Sequence, residues 1–162
     1  MINKTFVYEK VIPLIEEKGK RIDVLLLQSL FEDKQQELVD ELRQYQNKDF
    51  GLGHGLEPDI RMPNSSIAAT NHGVVVLEQV KDRMVKEKFL EELVHYYEET
   101  YDETLERFVM VSKEVEDYPH AIWWSYKDVL ENFPFGNPDP EVIGFLYQNR
   151  KHLKKVNINR LI

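Results

Sequence analysis

Cysteine is absent from this chain of 162 residues. Its absence removes disulfide bridges, thiolate nucleophiles, CxxC redox pairs and any cysteine-ligated zinc. Long apolar runs are missing as well. Stretches such as "VLLLQSLF" and "GVVVL" fall far short of the roughly 20 residues that a membrane-spanning helix needs. The opening "MINKTFVYEKVIPLIEEKGK" mixes charge with apolar residues and has no signal-peptide core. No low-complexity tract or linker interrupts the chain, and no segment alternates apolar and polar residues long enough to predict a sheet. Positive charge is in deficit, with 21 Lys and Arg against 29 Asp and Glu and a formal net charge of -8. Nucleic acid and anionic membranes are repelled on average by such a chain. These absences predict a single cytoplasmic domain over residues 1–162, without a membrane span or a nucleic-acid partner.

What is present is helical periodicity. Val7, Val11, Leu14 and Ile15 predict a first amphipathic helix despite Pro13. "RIDVLLLQSLFE" is apolar nearly all round, as for a helix buried on several sides. "DKQQELVDELRQYQ" predicts a helix capped by Asp33, with Leu38, Leu42 and Tyr45 on one face. The capping cluster "NSS" opens another that runs through Val80, with Ala68, Ala69 and Gly73 as a small-residue face. "VKEKFLEELVHYYEETY" places Phe89, Leu93 and Tyr96 or Tyr97 inward. Between Asp102 and Pro119 the pattern weakens toward a short extended segment, and "AIWWSYKDVLENF" then reads as a helical turn or short helix. In "NPDPEVIGFLYQNRKHL", Asp139 caps and Pro140 takes the first helical position. The class is all-α, built from stacked helical hairpins. The basic stretch "RKHLKKVNINR" reads as favourable charge near a helix C-terminus rather than a nucleic-acid arm, and the acid-rich run from Glu91 to Glu116 as surface.

One stretch stands apart from this pattern: "YQNKDFGLGHGLEPDIRMPNSSIAAT", residues 45–70. Gly51, Gly53 and Gly55 at alternate positions permit a sharp turn and close backbone approach. No strand precedes them and no Gly-Lys-Ser/Thr follows, which argues against a phosphate loop. "YQNKDFGLGHG" resembles the Gln- and Gly-containing repeat of squalene and terpenoid cyclases and of protein prenyltransferase β subunits. There an outer helix ends near Gln, a glycine turn follows, and an inner helix begins near a Thr-Ala stretch. The corresponding residues here are Gln46, Gly51 to Gly55, and Ala68, Ala69 and Thr70. "HAIWW" and "NPDPEVIGFLY" extend the resemblance to an uncharacterised bacterial branch, and "ELRQYQN" and "GFLYQNR" form a near-repeat. The resemblance implies a partial α/α toroid, about half of a ring of roughly twelve helices and equivalent to its N-terminal half. Half a ring leaves inner apolar faces open, which predicts a homodimer. Phe50 and Leu52 depart from the repeat. The cyclase Asp-x-Asp-Asp motif is missing, and the prenyltransferase zinc site lacks its Cys.

Two constellations are candidates for a ligand site. His54, Glu57, Asp59 and Arg61 fall within eight residues. A Glu beside an Asp suits acid–base work when one is desolvated, and Arg61 suits an anionic group. Alternatively, Asp59 and Arg61 pair with each other or with backbone and fix an irregular loop. His120, Trp123 and Trp124 form the second constellation, in "YPHAIWW". Adjacent Trp side chains cannot face one cavity squarely, so one lining an apolar pocket and one in the core is expected. The toroid resemblance implies an apolar or isoprenoid-like small molecule as ligand, with a non-catalytic scaffold or interaction module as the alternative. The polar loop and the aromatic wall are expected to meet. No catalytic residue is assigned. No cofactor or metal site is expected, since the five His residues lack ligand spacing and Glu91, His95 and Glu99 read as a solvated face.

Overall fold

The computed structural model describes residues 3–132, 138–158 and 161. Phe133, Asn137 and Arg160, which fall within predicted segments, lie outside the described residues.

The chain is mostly helical, as the periodicity predicts. Asn3 caps a first turn, α1 (Lys4–Phe6), by accepting the Phe6 amide at 3.1 Å. A π-helical turn over Val7–Val11 follows and leads into α2 (Ile12–Lys18). Pro13 has no amide to return to the preceding turn, and the wide turn in front of it adds a residue to the helical period. The apolar stripe therefore differs from the predicted one. Val7 and Ile12 are buried, while Leu14 is 61% exposed.

Helix α3 (Arg21–Ser29) buries Ile22, Val24 and Leu25. Its all-round apolar character does not mean all-round burial, because its main helical neighbours are α2 and α4 and Leu30 remains exposed. Helix α4 (Gln35–Leu42) buries Leu38, Val39 and Leu42. Asp33 is not its cap residue. That position belongs to Lys34, and Asp33 Oδ1 instead accepts the Gln35 amide at 3.4 Å and its side-chain amide at 3.1 Å.

Helix α5 (Ile67–Glu78) is the central element. Ser66 caps it by accepting the Ala69 amide at 3.1 Å, and the Ala68 amide finds the Met110 carbonyl at 3.0 Å. Ala68, Ala69, Thr70 and Gly73 are all buried. A Cβ at Gly73 would lie 2.1 Å from Leu52 Cδ1, so the small face lets the glycine loop press against the helix. Helix α6 (Arg83–Thr100), capped by Asp82, packs against both α4 and α5 and buries Tyr96 as well as Tyr97.

The weak region after α6 forms an antiparallel ribbon of β1 (Tyr101–Asp102) and β2 (Arg107–Phe108). It is the one sheet among the described residues. After 3-10 turns at Lys113–Asp117 and Ile122–Trp124 come α7 (Tyr126–Asn132) and α8 (Asp139–Gln148). Pro138, not Asp139, occupies the cap position of α8. Asp139 Oδ1 instead accepts the Phe108 amide at 2.9 Å, tying β2 to the helix. Tyr97 sits edge-on to Phe108 and Phe145, with ring centroids 6.3 and 5.4 Å away. These aromatic contacts unite α6, β2 and α8.

Candidate functional site

The glycine loop is built as a closed structure. Where α4 ends, Arg43 donates to Glu92 and to Gln46, each at 2.7 Å, and its guanidinium lies 4.4 Å from the Phe89 ring centre. Asn47 then clasps the far end of the loop, donating to the Pro63 carbonyl at 2.9 Å and to Ser65 Oγ at 3.1 Å. Asp49 accepts the Gly51 amide at 3.1 Å and the Ser65 hydroxyl at 2.7 Å. The backbone repeats the closure. The Gly53 amide reaches the Tyr45 carbonyl at 2.9 Å, and the Ser66 amide reaches that of Leu52 at 3.0 Å. From the position just before α3, Lys20 Nζ donates to the carbonyls of Gly55 and Leu56, and burial pulls its pKa down. Leu52, Leu56, Ile60 and Met62 are buried inside this frame, so the loop carries its own piece of core.

The predicted site residues separate into two groups. His54, at a positive φ of 53°, places Nε2 3.0 Å from Asn47 Oδ1. Glu57 faces His72 Nδ1 at 3.3 Å. These two serve the loop and its contact with α5. Asp59 and Arg61 instead meet the second constellation through their backbones. The Arg61 amide donates to the Pro119 carbonyl and the Ala121 amide to that of Asp59, both at 2.9 Å. An antiparallel bridge sets Ile60 opposite His120. Opposed residues share a face, and residues on either side point the other way. Ile60 is buried, so Asp59 and Arg61 turn outward, and both are exposed. His120 follows Ile60 inward, its Nδ1 donating to the Tyr118 carbonyl at 2.7 Å and its Nε2 lying 3.8 Å from Glu116. Trp124 packs against the main core, while Trp123 is 52% and Ile122 77% exposed. The two segments thus meet at their backbones, and they meet at an outward surface.

No protein-family model matches the chain, and neither does any curated protein or solved structure.

Two further concavities lie outside the two constellations that the sequence offers as ligand sites. Between α5 and α8 runs a groove of about 330 Å³ lined by Val74, Val75, Gly144 and Phe145. At its wall, Asn71 accepts the Tyr97 hydroxyl at 2.6 Å and donates to Glu141 at 3.0 Å. Burial raises the Tyr97 pKa well above the ordinary phenol value. The other concavity lies where the chain's basic end crosses α6. There Lys151 pairs with Glu87, Lys154 with Glu91 at 3.4 Å, and Lys155 with Glu99. Glu98, in a run that reads as surface, is buried, and its Oε1 accepts the amides of Lys154, Lys155 and Val156 at 2.9, 2.7 and 2.9 Å. The basic stretch is therefore a strap along the acidic face of α6. Among the described residues, no group of three or more His, Cys, Asp or Glu could hold a metal ion, and no helix is long and apolar enough to cross a membrane.

The strap carries a pH dependence of definite sign. Glu87 is pulled down to about 2 by the hydrogen bond from Lys151, against the opposing effect of burial, with Arg83 adding to the depression. A depressed carboxylate contributes stability that is complete above its unfolded value, near 4.5, and is lost as pH falls toward about 2. Each exposed pair contributes little by itself. Amide exchange in residues 150–158 should accordingly rise across that window, ahead of exchange in α5. Simultaneous loss of protection in both segments would show that the strap does not open separately.

Proposed function

We propose that this chain is a non-catalytic helical-repeat interaction module, with a terpenoid-cyclase-like partial toroid as its fold and a second copy of the chain as its partner. The carrying observation is the patch of Asp59, Arg61, Ile122 and Trp123. Asp59 and Arg61 are exposed on one of two paired backbone segments, and the turn that follows the other segment leaves Ile122 and Trp123 exposed. Trp and Arg dominate binding hot spots, and such rigid presentation lowers the entropy lost on docking. Asp59 and Arg61 lie two positions apart on one face, so a two-fold axis can set each Arg against the partner's Asp. The overall charge of -8 opposes association, but at physiological salt that repulsion is screened within about 8 Å. Against catalysis stands the use of His54 and Glu57 in holding the loop.

Sedimentation equilibrium at micromolar concentration is the test. The expected result is a dimer that Trp123→Ala or Arg61→Glu shifts to monomer without lowering the melting temperature by more than about 2 °C, since both sites are exposed. A wild-type monomer, or a dimer indifferent to both substitutions, overturns the proposal.

A second reading rests on the α5–α8 groove, where an apolar floor meets the Asn71, Tyr97 and Glu141 network. That combination suits a small apolar molecule with one polar end, as the toroid resemblance implies. Saturable binding of farnesol by the wild type, abolished in Gly144→Trp, would favour this reading.

A further inference from the structure

One carboxylate stands across the base of the turn that carries Ile122 and Trp123. That turn spans Ile122–Trp124, between His120 on one side and Tyr126 on the other. Glu116 Oε1 accepts the Tyr126 amide at 2.7 Å, and its Oε2 lies 3.8 Å from His120 Nε2. Helix α7, which begins at Tyr126, packs against this turn and against the 3-10 turn at Lys113–Asp117 that holds Glu116.

A proton decides what the second of these contacts does. His120 Nδ1 donates to the Tyr118 carbonyl at 2.7 Å, and a carbonyl can only accept. In a neutral ring held this way the single hydrogen sits on Nδ1, so Nε2 carries a lone pair. That lone pair faces a carboxylate oxygen, and neither atom has a hydrogen to share. A protonated ring has a hydrogen on each nitrogen, and Nε2 then offers Glu116 a charged donor. The 3.8 Å separation is an ion-pair distance and too long for a hydrogen bond. The His120 side chain is 14% exposed and that of Glu116 47%, so closing the gap falls to the carboxylate.

The surrounding charges leave this pair intact. Asp117 is exposed on the same turn as Glu116, and Lys127 is exposed beside Tyr126. On the opposed segment, Ile60 faces His120 while Asp59 and Arg61 turn to the outer face. Among the described residues, the ion partner of His120 is Glu116.

We infer that Glu116 and His120 form a proton-operated latch on the Ile122–Trp124 turn, closed when His120 is protonated and open when it is neutral. Closing it ties His120 to Tyr126 through one side chain and narrows the motion of the residues between them. Imidazoles change charge between about pH 5 and 8, so the latch orders the turn at the acid end of that range and releases it at the alkaline end. Its effect on association rests on the dimer proposed above. Docking Trp123 costs less entropy when its turn is already ordered, so the dimer tightens as pH falls.

Nuclear magnetic resonance of the full chain across about pH 5.5 to 8 tests the latch, with Glu116→Gln as the comparison. Gln keeps an oxygen for the Tyr126 amide and removes the charge. In the wild type, backbone order at residues 122–124 should rise with the same midpoint as protonation of the His120 ring nitrogens. In Glu116→Gln the rise should vanish while His120 still titrates. Order that ignores His120, or follows it equally in Glu116→Gln, overturns the latch.

Sedimentation equilibrium tests the consequence. Acid also weakens repulsion between copies of a chain with a net charge of -8, so the two proteins are compared with each other. The tightening on acidification should be about two- to fivefold larger in the wild type, the range of one exposed ion pair. Equal tightening in both overturns the effect on docking. A wild-type monomer at every pH overturns the dimer reading instead, and the resonances still decide the latch.

Discussion

Gly53→Ala should lower the unfolding free energy by about 3 kcal/mol or more, the upper range for overpacking. A Cβ at residue 53 would lie 2.3 Å from the carbonyl oxygens of both Pro63 and Asn64. Backbone oxygens cannot rotate away as a side chain can. The Pro63 carbonyl is moreover held by the His54 amide at 3.1 Å and the Asn47 side chain at 2.9 Å, so displacing it breaks the clasp that closes the loop. Two other glycines provide the contrast. Gly55 has a φ of +71° but no neighbour nearer than 3.6 Å, so Gly55→Ala should lose only about 1 kcal/mol of backbone preference. Gly144 lies in α8 with nothing within 4 Å, so Gly144→Ala should stabilise by about 0.5–1 kcal/mol. Chemical denaturation of the three variants reads the order directly. A neutral Gly53→Ala would mean that the loop yields at its clasp and is not a rigid frame.

That order depends on contacts of different range, and so did the legibility of the fold. The start of α5 could be read from "NSS" and its small face because a cap and its acceptor lie within one turn. Both inward tyrosines of α6 lay close to the predicted stripe for the same reason. The shifted stripe before α2 could not be read, because a π turn changes the period without a residue type of its own. Asp139 looked like a helix cap from its neighbours alone. Its acceptor role belongs to an amide 31 positions earlier.

The candidate site followed the same rule. Its polar residues were visible as a cluster, but their partners were not. His54 answers to Asn47, and Glu57 to His72 on the next helix. The adjacent tryptophans were expected to divide between core and pocket. Trp124 does join the core, whereas Trp123 stands in solvent because the Ile60–His120 bridge places the following turn on the outside. Lys20 gave no local sign of its bonds to carbonyls 35 and 36 residues away.

The second large effect is expected at Glu98, a buried acid with little to mark it in sequence. It follows Tyr97 in an acid-rich run, and nothing local separates it from exposed Glu99. Yet Glu98 alone gathers the amides of Lys154, Lys155 and Val156, whereas Glu99 makes ion pairs at the surface. Hydrogen bonds to a charged acceptor contribute more than neutral ones, and amides left buried without an acceptor add their own desolvation cost. Glu98→Ala should therefore destabilise the protein by about 2–4 kcal/mol. Glu99→Ala should change stability by less than about 0.5 kcal/mol, as an exposed pair warrants. Hydrogen exchange locates the effect. In Glu98→Ala, protection should fall at residues 154–156 while the α5 amides keep theirs relative to global stability. Equal losses in the two variants would mean that long-range charge attraction holds the strap. A loss confined to Glu98→Ala means that one buried carboxylate fixes the strap's path, with the surrounding lysine pairs adding electrostatic attraction.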